Sequence, residues 1–146
     1  MPRKRVLWLG VLALVLSACQ PREIALSLRF EDPDTRASAA ALRLRILEGG
    51  CEGPELHRTV FPALDPGSAA RPPRLPPGRY GFAVEAREPD CFVIAQACEP
   101  RDLPLEQAEE LEIVLPTLDA DPACPRDRCD AGICTGEVPP DAGVMP

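Results

Sequence analysis

The chain has 146 residues and a net charge of −7, and it is 45% hydrophobic with 4% aromatic residues. That length fits one domain. The acidic balance excludes the electrostatic footprint of nucleic-acid binding, which needs Lys and Arg clustered against phosphate.

The N-terminal segment has three parts: basic Arg3, Lys4 and Arg5, an apolar run from Val6 to Leu16, and small residues ahead of Cys19. This is the layout of a signal peptide, and the run is too short for a membrane-spanning helix, which takes about 20 residues. Leu16, Ser17, Ala18 and Cys19 resemble the lipobox of bacterial lipoproteins. The resemblance implies that residues 1–18 are removed, that the Cys19 sulfur carries a diacylglycerol, and that the new amino group is acylated. Each buried methylene contributes about 0.8 kcal/mol and one chain alone binds marginally, so three chains would anchor the protein permanently. Gln20 stands where many lipoproteins retained at an inner membrane have Asp. The family rule therefore implies the outer membrane, at its periplasmic face or at the cell surface. Without residues 1–18 the chain keeps 13 basic residues against 23 acidic ones, a surface that repels anionic headgroups and leaves membrane attachment to the lipid.

Residues 19–23 form a short spacer, after which apolar residues alternate. Ile24, Leu26, Leu28 and Phe30 alternate with Ala25, Ser27 and Arg29, the period of a half-buried strand. Leu42, Leu44 and Ile46 alternate with Arg43 and Arg45, although the Ala-rich lead-in from Ala37 to Ala41 suits a helix equally well. Leu56 to Phe61 is a weaker strand holding the sole histidine, His57, and six prolines between Pro62 and Pro77 mark an extended loop. Pro77-Gly78 has the composition of a type II turn, with a strand expected at once after it through Tyr80, Phe82, Val84 and Ala86. Pro89-Asp90 breaks that run. Cys91 to Cys98 encloses Phe92, Val93, Ile94 and Ala95, a continuous apolar run fit for a strand covered on both faces. Leu111, Ile113 and Leu115 close the set. Short strands, turn signals between them and no amphipathic helix of normal length predict an all-β fold, a small antiparallel two-sheet sandwich over residues 24–118.

The segment Leu75-Pro-Pro-Gly-Arg-Tyr80 resembles the L-x-P-G-x-Y turn and strand of carboxypeptidase regulatory-like and transthyretin-like modules. The resemblance implies a prealbumin-like or immunoglobulin-like sandwich serving as a non-catalytic appendage, with Tyr80 in the core or at a corner. One β domain followed by a Cys-rich tail is also similar to small lipoproteins of deltaproteobacteria.

Residues 119–146 are rich in Asp, Pro, Gly, Ala and Cys and lack the apolar content for a core of their own. The reading is a Cys-rich irregular tail, disordered from Val138 to Pro146. With Cys19 given to lipid, six cysteines remain for disulfides: Cys51, Cys91 and Cys98 in the domain, and Cys124, Cys129 and Cys134 in the tail. Three on each side cannot all pair internally, so full oxidation staples tail to domain. If Cys91 to Cys98 is one strand, its ends lie about 23 Å apart, beyond the ~7 Å Cα separation a disulfide spans. Cys51 would then take one of them and the tail the other. A bond such as Cys51–Cys98, closing a loop of about 48 residues, removes roughly 4 kcal/mol of unfolded-state entropy in the chain model.

The tail cysteines recur every five residues without a nearby histidine, which is not zinc-site spacing. Asp119, Asp121, Asp127 and Asp130 lack the frame of a calcium loop and read as a solvated acidic linker. No nucleophile motif or phosphate loop accompanies His57, so no catalytic residue, metal or cofactor is expected. The leading functional reading is a structural or protein-interaction lipoprotein of the envelope, whose partners are the membrane through its anchor and an envelope protein. The alternative is a carbohydrate-binding surface module. The aromatics that would stack on sugar rings, Phe30, Phe61, Tyr80, Phe82 and Phe92, are few and stand mostly at expected core positions.

Overall fold

Alternating apolar residues place one side of a strand in a core, and the computed structural model, which describes residues 24–63, 72–105 and 110–136, assembles such strands into two sheets. In chain order the elements are β1 (Leu26–Phe30), the short helix α1 (Pro33–Ser38), β2 (Ala41–Glu48), β3 (Glu55–Pro62), β4 (Gly78–Arg87), β5 (Phe92–Leu103), β6 (Leu111–Leu115) and β7 (Thr117–Pro122). A 3-10 turn at Arg126–Arg128 then leads to the two-residue strands β8 (Cys129–Asp130) and β9 (Ile133–Cys134).

β3, β2, β4, β5 and β7 form a five-stranded antiparallel sheet in that order. β1 and β6 make the second sheet, and β8 and β9 a small hairpin. The protein is thus an all-β sandwich. Its core lies between the two sheets: Leu42, Leu44 and Ile46 of β2 and Tyr80, Phe82 and Val84 of β4 meet Leu111, Ile113 and Leu115 of β6. Leu26, Leu28 and Phe30 of β1 pack half-buried against that cluster. Burial of a large apolar side chain contributes about 1.5–3 kcal/mol.

Several expectations need correction. The second sheet is parallel, with Leu26 beside Leu111 and Phe30 beside Leu115. Parallel neighbours require a long crossover, and here most of the large sheet forms the connection. The Pro77-Gly78 turn does not place Gly78 at positive φ, since Gly78 already opens β4. Tyr80 instead fixes the corner: its hydroxyl donates to Pro76 O at 3.1 Å while its ring is buried. The strand expected to start at Cys91 starts one residue later. Cys91 itself has φ 65° and completes a three-residue hairpin turn with Pro89 and Asp90, at the left-handed position such turns require. β5 is covered less completely than its apolar run suggested, with Ile94 and Ala95 buried and Phe92 and Val93 half-buried.

The boundary expected after Leu118 is crossed by β7, which pairs Thr117 with Ala95 and Pro122 with Phe92. Every β7 side chain is exposed, so the strand carries no hydrophobic alternation to reveal it, and an edge position tolerates its proline. Helix α1 was also unforeseen. Asp32 caps it by accepting from Thr35 N at 2.7 Å and Thr35 Oγ1 at 2.8 Å, and Pro33 suits its first turn. Those two hydrogen bonds hold the Asp32 carboxyl below its ordinary value. Because the Thr35 hydroxyl spends its proton on Asp32, Thr117 Oγ1 donates to Thr35 Oγ1 across 2.8 Å, which ties α1 to β7.

Candidate functional site

The face of the large sheet turned away from the core carries the molecule's unusual chemistry. Register places Arg43 beside Glu85 and Arg45 beside Ala83, and then Glu85 beside Gln96 and Ala83 beside Cys98. Side chains that alternate with the apolar core residues therefore meet in one patch across β2, β4 and β5. Glu85 is 6% exposed and Arg87 1%. Glu85 Oε1 accepts from Arg87 Nε at 2.6 Å, and its Oε2 accepts from Arg43 Nη2. A buried carboxylate held by two guanidinium groups is charge-compensated, whereas loss of either partner would leave an uncompensated charge away from water.

Two flaps cover the ends of this face. At one end the β2–β3 connection folds back over β4, where Gly81 makes room. A Cβ at Gly81 would stand 2.6 Å from Gly50 C and 2.8 Å from Cys51 N. The flap crosses β4 and is bolted to β5 by the Cys51–Cys98 disulfide, with a Cα separation of 5.9 Å. At the other end the β8–β9 hairpin lies over Ala41 and Arg87. Gly132, at φ +85°, approaches so closely that a Cβ would meet Ala41 Cβ at 2.9 Å. Gly132 N donates to Pro89 O at 3.0 Å, and Arg87 Nη1 donates to Cys134 Sγ at 3.5 Å. Cys91–Cys129 joins this hairpin to the β4–β5 turn, and Cys124–Cys134 closes the tail on itself.

Beside the β2–β3 flap lies a groove of about 440 Å³, lined by Arg45, Glu52, Ala83, Glu85, Gln96 and the Cys51–Cys98 bridge. Its side chains offer hydrogen-bond donors and acceptors, and none is a nucleophile paired with a base. His57 lies elsewhere, on edge strand β3, with Nε2 2.8 Å from Thr59 Oγ1.

The structure gathers some of the singled-out residues and scatters others. Cys19 and its neighbours Leu16, Ser17 and Ala18 lie outside the described residues, as does the segment from Val138 to Pro146. The six later cysteines stand in three disulfides, one within the domain, one between domain and tail, and one within the tail. Asp119 and Asp121 lie on β7, Asp127 in the 3-10 turn and Asp130 on β8. Among the described residues, the one cluster of His, Cys, Asp or Glu with converging ligand atoms is Cys91, Cys124 and Cys134, whose sulfurs lie within 4.8 Å of one another. The Arg43–Glu85–Arg87 network escaped the sequence reading. Its only trace was the charge at alternate positions, R-L-R in β2 and E-A-R in β4, which looks the same on a solvated face.

No family model matches the chain, and no curated protein matches it. Among solved structures it is similar to a protein from Bacteroides thetaiotaomicron, described as one of the "putative polysaccharide binding proteins (DUF1812)", with a TM-score of 0.41 and 12% identity. The alignment covers 65% of this chain and 46% of that one, so the chain spans less than half the length of this neighbour.

Proposed function

We propose that the chain is a non-catalytic lipoprotein of the bacterial cell envelope, anchored through Cys19 and acting as a structural or protein-interaction module that meets its partner at an edge of the sandwich.

 

The observation that carries this reading is the cysteine pairing. Seven cysteines occur in the chain and six pair with one another, which leaves Cys19 no cysteine of its own chain to join. A lipobox sulfur needs that freedom. Three disulfides also suit an oxidising compartment such as the periplasm or cell surface, and Gln20 favours the outer membrane by the family rule.

An interaction role is supported by the edge strand β3, which ends the large sheet and holds Leu56 at 50% exposure. Exposed edges are ready sites for pairing with another chain. The carbohydrate-binding alternative has less support, because Phe61, Tyr80 and Phe82 are buried and Phe30 and Phe92 half-buried. Growth with an alkyne-bearing palmitate analogue should label the wild type and leave Cys19→Ser unlabelled. Equal labelling of the two would overturn the anchor, and strong binding on a glycan array would reverse the ranking of the two roles.

A further inference from the structure

We propose that Cys91, Cys124, Cys129 and Cys134 form a thiol-exchange site, in which Cys124 receives an external thiolate, Cys134 departs, and Cys134 then exchanges onto Cys91. The sulfurs of Cys91, Cys124 and Cys134 lie within 4.8 Å of one another although they belong to two different disulfides. Disulfides exchange when a thiolate attacks one sulfur and expels the other, at rates set by access and by how readily the leaving thiolate departs.

The two ends of Cys124–Cys134 differ in both respects. Cys124 is half-buried in the tail and open to attack from solvent, whereas Cys134, in β9 of the hairpin, is 5% exposed. Arg87, itself 1% exposed, donates from Nη1 to Cys134 Sγ at 3.5 Å. A neighbouring cation favours the thiolate, so the guanidinium makes Cys134 the better leaving group.

The chemistry balances in two steps. An external thiolate attacks Cys124 Sγ, a mixed disulfide forms, the Cys124–Cys134 bond breaks and Cys134 leaves as a thiolate. Cys134 then attacks Cys91 Sγ, the Cys91–Cys134 bond forms, and Cys129 leaves as a thiolate at the half-buried rim. One thiolate is consumed and one released, with no net oxidation. The co-reactant class is therefore a thiol. Cys51–Cys98 lies at the other end of the sheet face, outside the sulfur cluster, and serves as an internal reference.

The test treats the full chain with limiting reduced glutathione, quenches with acid, alkylates and maps the peptides. The expected products carry glutathione on Cys124, a Cys91–Cys134 link and an alkylated Cys129, formed roughly tenfold faster than any adduct at Cys51 or Cys98. Equal rates at all three disulfides, or first attack at Cys51–Cys98, would overturn the proposal. In Cys124→Ser, Cys134 should already have displaced Cys129 from Cys91, whereas an intact Cys91–Cys129 bond beside an alkylated Cys134 would refute the second step. Arg87→Gln separates positioning from packing. Slower exchange at Cys124 with an unchanged Cys51–Cys98 supports the role given to Arg87, and faster exchange at both bonds, the mark of a loosened fold, removes it.

Discussion

The two faces of the five-stranded sheet are built from the same strands and stabilised by different physics. On the inner face Leu44, Ile46, Phe82 and Val84 pack against β6 in a continuous apolar layer. On the outer face the same strands present Arg43, Glu85 and Arg87, covered by a loop and a hairpin that disulfides hold down. Hydrophobic burial is non-directional and tolerates exchange among residues of similar volume. A buried ion network depends on each partner and its geometry. β4 lies under both layers, which is why its residues from Tyr80 to Arg87 are all buried.

Breaking the inner face should give the largest effect. Phe82→Ala removes a fully buried ring beside the β6 contacts and should lower stability by about 3–5 kcal/mol, read as a shift of the denaturant midpoint. Loss below 1 kcal/mol would mean that the disulfides, and not the core, carry the fold.

Glu85→Gln attacks the outer face. It leaves two guanidinium groups facing a neutral amide and should cost about 3 kcal/mol, the low end for breaking a buried pair, because the Arg43 side chain is 17% exposed. A combined replacement of Arg43, Glu85 and Arg87 by apolar residues of similar volume should recover most of that loss in the same denaturation experiment. Failure to recover would show that the hairpin flap depends on the charges themselves.

The smallest effect belongs to the rim of the sandwich. Asp32 has its carboxyl lowered in the folded state by the Thr35 hydrogen bonds, so its contribution is present above the unfolded value near 4 and is lost as pH falls through the lower folded value. Asp32→Ala should therefore melt slightly below the wild type at neutral pH. The gap should shrink in acid below about pH 4, and a gap that widened there would contradict the capping role.

Much of the large sheet was legible as alternation. β2 and β4 fall on the runs around Leu42–Ile46 and Tyr80–Ala86 because one side of each must meet the core. β7 was not legible, since its exposed residues Thr117 to Pro122 carry no such period. The candidate site was legible only in part. Cysteine parity demanded a bond between domain and tail, but which tail cysteine reaches Cys91 depends on where the hairpin folds. Arg43, Glu85 and Arg87 gave no signal because a charge at an alternate strand position reads as solvent-facing until something is known to cover it.

The sequence by itself determined where most strands of the large sheet run and that at least one bond must join tail to domain if the six cysteines after Cys19 are all oxidised, and the residues before Cys19 resemble a lipobox. These follow from local period, from counting and from short motifs. Only the tertiary structure decided that β1 pairs with β6 in parallel, that a flap and a hairpin roof the outer face, and that Arg87 lies against Cys134. Periodicity tells which side chains share a face of one strand, but contacts between residues distant in the chain are set by packing, and no local pattern encodes them.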